Sequence, residues 1–160
     1  MQDFATTINR MGQAVCERRF DDAAACFTED GVYIDDFYGR FAGRAEIARL
    51  FRDYFHRDGQ DYLWTFHDPV ADGETGYARY LFSWHSKLSG AEGRFAMFEG
   101  VSICQLRDGL LVQYSEIAAT YTARAALGFP GDRMARVAAR EFDRLKRKDE
   151  ATLHLARAVV

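Results

Sequence analysis

Cysteine is scarce in this chain of 160 residues: Cys16, Cys26 and Cys104 are far apart and odd in number. Neither a disulfide framework nor a cysteine-based zinc pattern follows. Long apolar runs are missing as well. None approaches membrane-spanning length, and the N-terminus MQDFATTINR lacks the basic start and apolar stretch of a secretory leader. The expectation is a cytoplasmic protein that does not engage a membrane. Excess charge is also absent: the net charge of −3 argues against nucleic acid as the main partner. No glycine-rich phosphate loop, Gly-x-Ser-x-Gly elbow or His-Glu-x-x-His occurs. The four histidines, His56, His67, His85 and His154, have no mutual ligand spacing, so neither a metal nor a cofactor is expected.

Apolar residues are abundant, at 48%, and aromatics reach 14%, most of them between Phe27 and Tyr121. That is enough to bury the core of one domain, or to line a cavity for an apolar ligand. Phe4, Ile8, Met11 and Val15 recur at helical spacing and predict a helix over residues 3–18. A short Ala-rich helix is expected over 20–27, with Asp21 and Asp22 in its first turn. Residues 32–35 read as a strand, and 37–41 as its hairpin partner. Residues 43–55 carry one apolar face, Ile47, Leu50, Phe51, Tyr54 and Phe55, and predict the strongest helix.

The period then switches to two. Segments 62–70, 77–88, 95–106 and 110–121 read as strands, with Asp72-Gly73, Ser89-Gly90 and Asp108-Gly109 in the gaps. A meander of this kind gives an α+β class. After Gly128-Phe129-Pro130-Gly131, Asp132 is placed to cap a helix from 133 to about 148. Its basic stripe, Arg133, Arg136, Arg140, Arg144 and Arg147, stays on one flank and reads as a solvated face more than as a phosphate site.

Three residues are candidates for chemistry. Asp35 continues the alternation of Tyr33 at the end of a half-buried strand. It can line a pocket, where burial makes it a better base, or it can open a turn. Its neighbour Asp36 reads as turn. His85 shares a strand face with Leu81 and Ser83 and can serve as acid, base or orienting group. Glu116 falls with Val112, Tyr114 and Ala118 on a largely apolar face, where a carboxylate must be paired, for instance with Arg79, or protonated. Glu99 falls on the face of Met97, Val101 and Ile103. Trp64, Phe66, Tyr80, Phe82, Trp84 and Phe98 read as packing, some of it around a cavity.

The order of two N-terminal helices, FTEDGVYIDD, GRAEIARLFRDYF and a four-strand meander ending in RDGLLVQYSEIAATY resembles the SnoaL-like branch of the nuclear-transport-factor-2-like superfamily. AALGFPGDRMARV resembles a C-terminal extension found in some members. The resemblance implies a cone: a strongly curved, mixed or antiparallel sheet wrapped around the N-terminal helices over residues 1–122, with a helical extension over 123–160. It also implies a deep pocket and a homodimer through the outer face of the sheet. In the register of ketosteroid isomerase the general base falls at Asp35. The oxyanion tyrosine falls at Met11, and the partner acid near Val101 or Ser102. Glu116 matches the late-strand acid of limonene epoxide hydrolase-like and SnoaL-type members, although Ala119 stands where many relatives have Asp. His85 is similar to the strand histidine of scytalone dehydratase-like members.

The reading that follows is acid–base chemistry without cofactor or metal on a polycyclic or terpenoid-like molecule: isomerisation, cyclisation, dehydration or hydration. Asp35, His85 and Glu116 are its catalytic candidates. Tyr33, Trp64, Phe98 and Ser102 are its substrate-binding candidates, with Tyr33 or Ser102 as an oxyanion donor. The alternatives are a non-catalytic ligand-binding or dimeric scaffold module, or an accessory subunit of a larger complex.

Overall fold

The computed structural model describes residues 3–158, which fall into two compact units that divide between Leu127 and Gly128. In the first, α1 (Phe4–Cys16) starts where the Asp3 carboxylate accepts the Thr6 N–H at 2.7 Å, a side-chain N-cap. It buries Phe4, Ile8, Met11 and Val15, the predicted stripe. Helix α2 (Phe20–Ala24) is shorter than its composition suggests, because the chain already turns into β1 (Phe27–Asp35) at Phe27. Strand β1 forms a hairpin with β2 (Gly39–Ala42), with Asp35 opposite Gly39. The left-handed φ of 90° at Gly39 is a conformation that glycine adopts without strain.

The strong helix is not uniform. Helix α3 (Arg44–Arg49) runs into a π-helical turn, Leu50–Phe55, and then into α4 (His56–Asp58). The predicted apolar face is retained: Ile47, Leu50, Phe51 and Phe55 are buried.

Four long strands follow: β3 (Gly59–Ala71), β4 (Thr75–Ser86), β5 (Phe95–Arg107) and β6 (Leu110–Ala118). Asp108 and Gly109 both have positive φ, 54° and 78°, which suits the tight two-residue turn between β5 and β6. The six strands run β2-β1-β6-β5-β4-β3. All neighbours are antiparallel except β1 and β6, which are parallel, so the sheet is mixed. It is curved and does not close on itself, the cone architecture implied by the family resemblance. Helix α1 lies close against its inner face. A Cβ at Gly12 would come within 2.8 Å of the Phe66 ring.

The last strand ends earlier than its residues suggest, at Ala118, and α5 (Tyr121–Ala126) follows. The Ala119 N–H bonds the Glu99 carbonyl at 2.9 Å, and the Thr122 hydroxyl bonds the Met97 carbonyl at 2.8 Å. Both bonds fasten this short helix to β5. Ala123 and Arg124 are buried, and the first unit extends through α5 to Leu127.

The second unit holds α6 (Gly131–Lys146), a 3-10 turn (Asp149–Ala151) and α7 (Thr152–Leu155). Pro130 occupies the N-cap position of α6. Asp132 sits inside the first turn and pairs with Arg136 at 2.7 Å instead of capping. Within the stripe, Arg133 lies over the Phe129 ring at 3.8 Å and Arg144 pairs with Glu141. These local pairings fit a solvated helix face.

Candidate functional site

Alternation along the meander sends one set of aromatics to the inner face of the sheet. Trp64 and Phe66 from β3, Tyr80, Phe82 and Trp84 from β4, and Phe98 from β5 are all buried there. Their rings contact one another edge-on or tilted, with centroids 5.1–6.0 Å apart. Phe37, on the loop between β1 and β2, adds a half-exposed ring against Trp84 and Phe98. The indole Nε1–H of Trp64 is buried and has no hydrogen-bond partner among the described residues. A donor left in that state costs about 1–3 kcal/mol, which an acceptor on a bound molecule would recover.

Asp35 closes β1 and is 5% exposed. Its contacts are those of the turn reading, made by a buried side chain. Its Oδ1 accepts the backbone N–H groups of Phe37 and Tyr38, each at 2.8 Å, so it shapes the turn while remaining buried. Oδ2 accepts no hydrogen bond from the described residues. Burial pushes its carboxyl up to about 7. The two N–H bonds and, more weakly, Arg124 pull it down, while the charge of Asp36 adds to the rise.

Glu116 projects from β6 opposite Ser102 of β5. The Tyr80 hydroxyl donates to its Oε2 at 2.7 Å and the Tyr114 hydroxyl to the same oxygen at 3.0 Å. Tyr33 stacks on Tyr114 with centroids 4.5 Å apart. Burial pushes Glu116 up to about 8. The charge of Asp35 raises it further, and the two tyrosine bonds oppose both effects. The charge of Asp35 is thus one cause of the rise at Glu116, and both carboxyls titrate above the ordinary carboxylate range. Oε1 of Glu116, like Oδ2 of Asp35, takes no hydrogen bond from the described residues. Arg79, a possible salt-bridge partner by sequence, lies on the other face and pairs with Asp68 at 2.7 Å.

The tyrosine pair around Glu116 and the anchor beside Asp35 were not singled out from sequence. Asp36 accepts the Thr120 hydroxyl at 2.7 Å and lies 3.6 Å from Arg124. Arg124 in turn donates to the Thr120 hydroxyl, and its guanidinium stacks 4.4 Å above the Phe37 ring. A buried arginine on α5 therefore fixes the loop that carries Asp36 and Phe37. Its sequence signal is weak: a lone Arg in the Ala-rich string YTARAA.

The remaining candidates divide between the faces. Tyr33, Trp64, Phe98 and Ser102 all turn inward. The Ser102 hydroxyl, however, donates to the Ala78 carbonyl at 3.2 Å, so the sheet itself uses it. His85 does not join Asp35 and Glu116. It alternates with inward Trp84, faces out beside Phe95, and its Nδ1 lies 3.5 Å from Asp61. Its strand mates Leu81 and Ser83 suggested an apolar wall, but Leu81 is exposed. Glu99 also faces outward. Met11 is fully buried in the α1 stripe. No group of three or more His, Cys, Asp or Glu among the described residues could hold a metal ion. No helix among them is long and apolar enough to cross a membrane.

Solved structures share this architecture. A hypothetical protein with a ketosteroid isomerase-like fold from Catenulispora acidiphila, in complex with trimethylamine, is 16% identical. The match covers 79% of this chain and 95% of that one, with a TM-score of 0.70. IdmH, a candidate polyketide cyclase from Streptomyces antibioticus, is 18% identical over 78% of this chain and 98% of its own, with a TM-score of 0.67. An LEH-like epoxide hydrolase from M. tuberculosis is 17% identical over 76% and 86%, with a TM-score of 0.60. At these identities the likeness shows the fold alone. A search of curated proteins finds no match. The family model of the SnoaL-like domain matches residues 8–114, two thirds of the chain and every element from α1 into β6, and the chain therefore belongs to the SnoaL-like domain family.

Proposed function

We propose that this chain is an acid–base enzyme of the isomerase, cyclase, dehydratase or hydrolase type, acting on a small apolar, polycyclic or terpenoid-like molecule. One observation carries the reading. Two carboxyls, buried Asp35 and half-buried Glu116, accompany the inward aromatic cluster, each with one oxygen held by two donors and the other taking no hydrogen bond from the described residues. Asp35, raised to about 7, is matched to taking a proton near neutral pH. Glu116, raised higher, is matched to giving one, or to donating a hydrogen bond to an oxygen on which charge develops. Trp64, Tyr33 and Phe98 would form the apolar seat, with the unpaired Trp64 N–H aimed at an oxygen of the ligand. His85, on the outer face, has no part in these steps. The kinds of activity named for fold relatives, a polyketide cyclase candidate and an epoxide hydrolase among them, are compatible with such a site.

The same proposal includes a homodimer through the outer sheet face. Leu63, Leu81, Phe95, Met97, Val101 and Ile117 are exposed there, apolar side chains that a second copy of the chain would cover. The free cysteines fit a cytoplasmic setting.

Native mass spectrometry of protein purified from its own host tests the function: a retained apolar oxygen-bearing ligand is expected. Turnover of that ligand should then be lost in Asp35→Asn and in Glu116→Gln. If both variants convert it at the wild-type rate, the acid–base reading is wrong. A ligand bound but never converted would leave a carrier.

A further inference from the structure

Tyr80 and Glu116 stand on strands that are not neighbours: β5 runs between β4 and β6. Neighbouring strands are about 4.8 Å apart, so a side chain bonding from β4 to β6 must cross roughly 10 Å over the backbone of β5. The register shows where it crosses. Tyr80 pairs with Gly100, and Gly100 pairs with Ala118. A Cβ placed on Gly100 would come within 2.5 Å of the Tyr80 hydroxyl, 2.6 Å of its Cζ and 2.9 Å of the Ala118 Cβ. The space is already occupied by the tyrosine ring, and a methyl group there would displace it. Gly100 has no positive φ, so conformational freedom is not the reason for a glycine. Ala118, a small residue on the far side, completes the channel.

We infer that Gly100 and Tyr80 form a positioning device for Glu116: the missing side chain at Gly100 lets the Tyr80 phenol lie across β5 and hold Glu116 Oε2. Tyr114 donates to the same oxygen from β6. With Oε2 accepting two O–H groups, the proton of neutral Glu116 resides on Oε1, the oxygen with no bond to the described residues. The device therefore fixes which oxygen presents the acid proton. This rests on the proposed acid role of Glu116. The geometry of the device does not, and it is tested without any substrate.

The test follows Glu116 in the full chain by carbon-detected NMR of labelled glutamate side chains, assigned with Glu116→Gln. Tyr80→Phe, nearly isosteric, should raise the Glu116 titration midpoint by about one pH unit, because a hydrogen bond favouring the carboxylate is lost. Gly100→Ala should raise it by the same amount, and adding Tyr80→Phe to it should give no further shift. Adding Tyr114→Phe to Gly100→Ala should give a further shift, since that donor does not cross β5. Two results overturn the inference: a Gly100→Ala midpoint equal to wild type, or full additivity of Gly100→Ala with Tyr80→Phe. Should Gly100→Ala fail to fold, a Tyr80→Phe midpoint at or below wild type has the same force. Turnover of the retained ligand is measured in parallel. The titration as expected with no turnover by any protein, wild type included, would sink the enzyme reading and leave the device standing.

Discussion

The two faces of the meander differ more than any two segments of the chain. Along β4 the inward residues are Tyr80, Phe82 and Trp84, all buried, and the outward ones are Arg79, Leu81, Ser83 and His85. The inner face joins aromatic rings to two carboxyls whose pKa values are raised above the ordinary carboxylate range. The outer face joins exposed aliphatics to ion pairs in water. A residue's chemistry here is decided by parity. His85 sits one position from Trp84 yet points to the opposite face of the sheet, half-exposed beside Phe95 and Asp61.

That contrast can be broken at several points. The largest effect is expected inside, on turnover of the retained ligand: Asp35→Asn or Glu116→Gln should cost about 10²–10⁴-fold in kcat/KM, the usual worth of a positioned acid or base. Asn can still accept the Phe37 and Tyr38 N–H groups, so Asp35→Asn should remain folded by circular dichroism. Next is packing. Phe82→Ala should lose about 3–5 kcal/mol in urea unfolding, because its ring meets Phe55, Tyr62, Trp64, Trp84 and Phe98. The adjacent Leu81→Ser should change stability by about 0.5 kcal/mol or less. On the outer face, Leu81→Glu combined with Met97→Glu should give a monomer by analytical ultracentrifugation while leaving the Glu116 titration where it was.

Smaller still is a pH slope. Asp35 and Glu116 have folded pKa values above their unfolded ones, so the folded state holds more protons through the intervening range. Their contribution to stability is complete below about pH 4 and is lost as pH rises through about 7 and 8. The urea midpoint should fall between those limits, and Glu116→Gln should flatten the fall. Smallest is His85→Gln, for which kcat/KM should stay at the wild-type value. A loss comparable to that of Asp35→Asn would put His85 back at the site.

Much of this was legible in the sequence, and for identifiable reasons. The period-two segments and Asp-Gly turns gave the strands from β3 to β6 to within a few residues. The family register marked Asp35, and alternation with Tyr114 marked Glu116. What escaped depends on distant pairs. Tyr80 and Glu116 are 36 residues apart and meet only through the register of three strands. Helix α5 hid because Ile117, Thr120 and Tyr121 continue a strand-like composition, and Arg124 hid with it. The face carrying Leu81 and His85 was open from sequence, because apolar side chains occupy both faces of β4. One set of them is buried and the other is exposed.

The π-helical turn Leu50–Phe55 bears on how this chain tolerates insertions and deletions. Such a turn amounts to one residue more than the α-helical path needs. Removing one residue within it would restore regular winding and rotate everything downstream by about 100°. The end of that helix is committed at three places: the His56 ring against the Val15 carbonyl, the His56 carbonyl to Lys87, and the Asp58 carboxylate to the Tyr38 hydroxyl. Tyr38 belongs to the loop that gives Asp35 its two N–H donors. A one-residue deletion more than a dozen positions from Asp35 would therefore reach it, where most substitutions on the exposed side of the same helix would not.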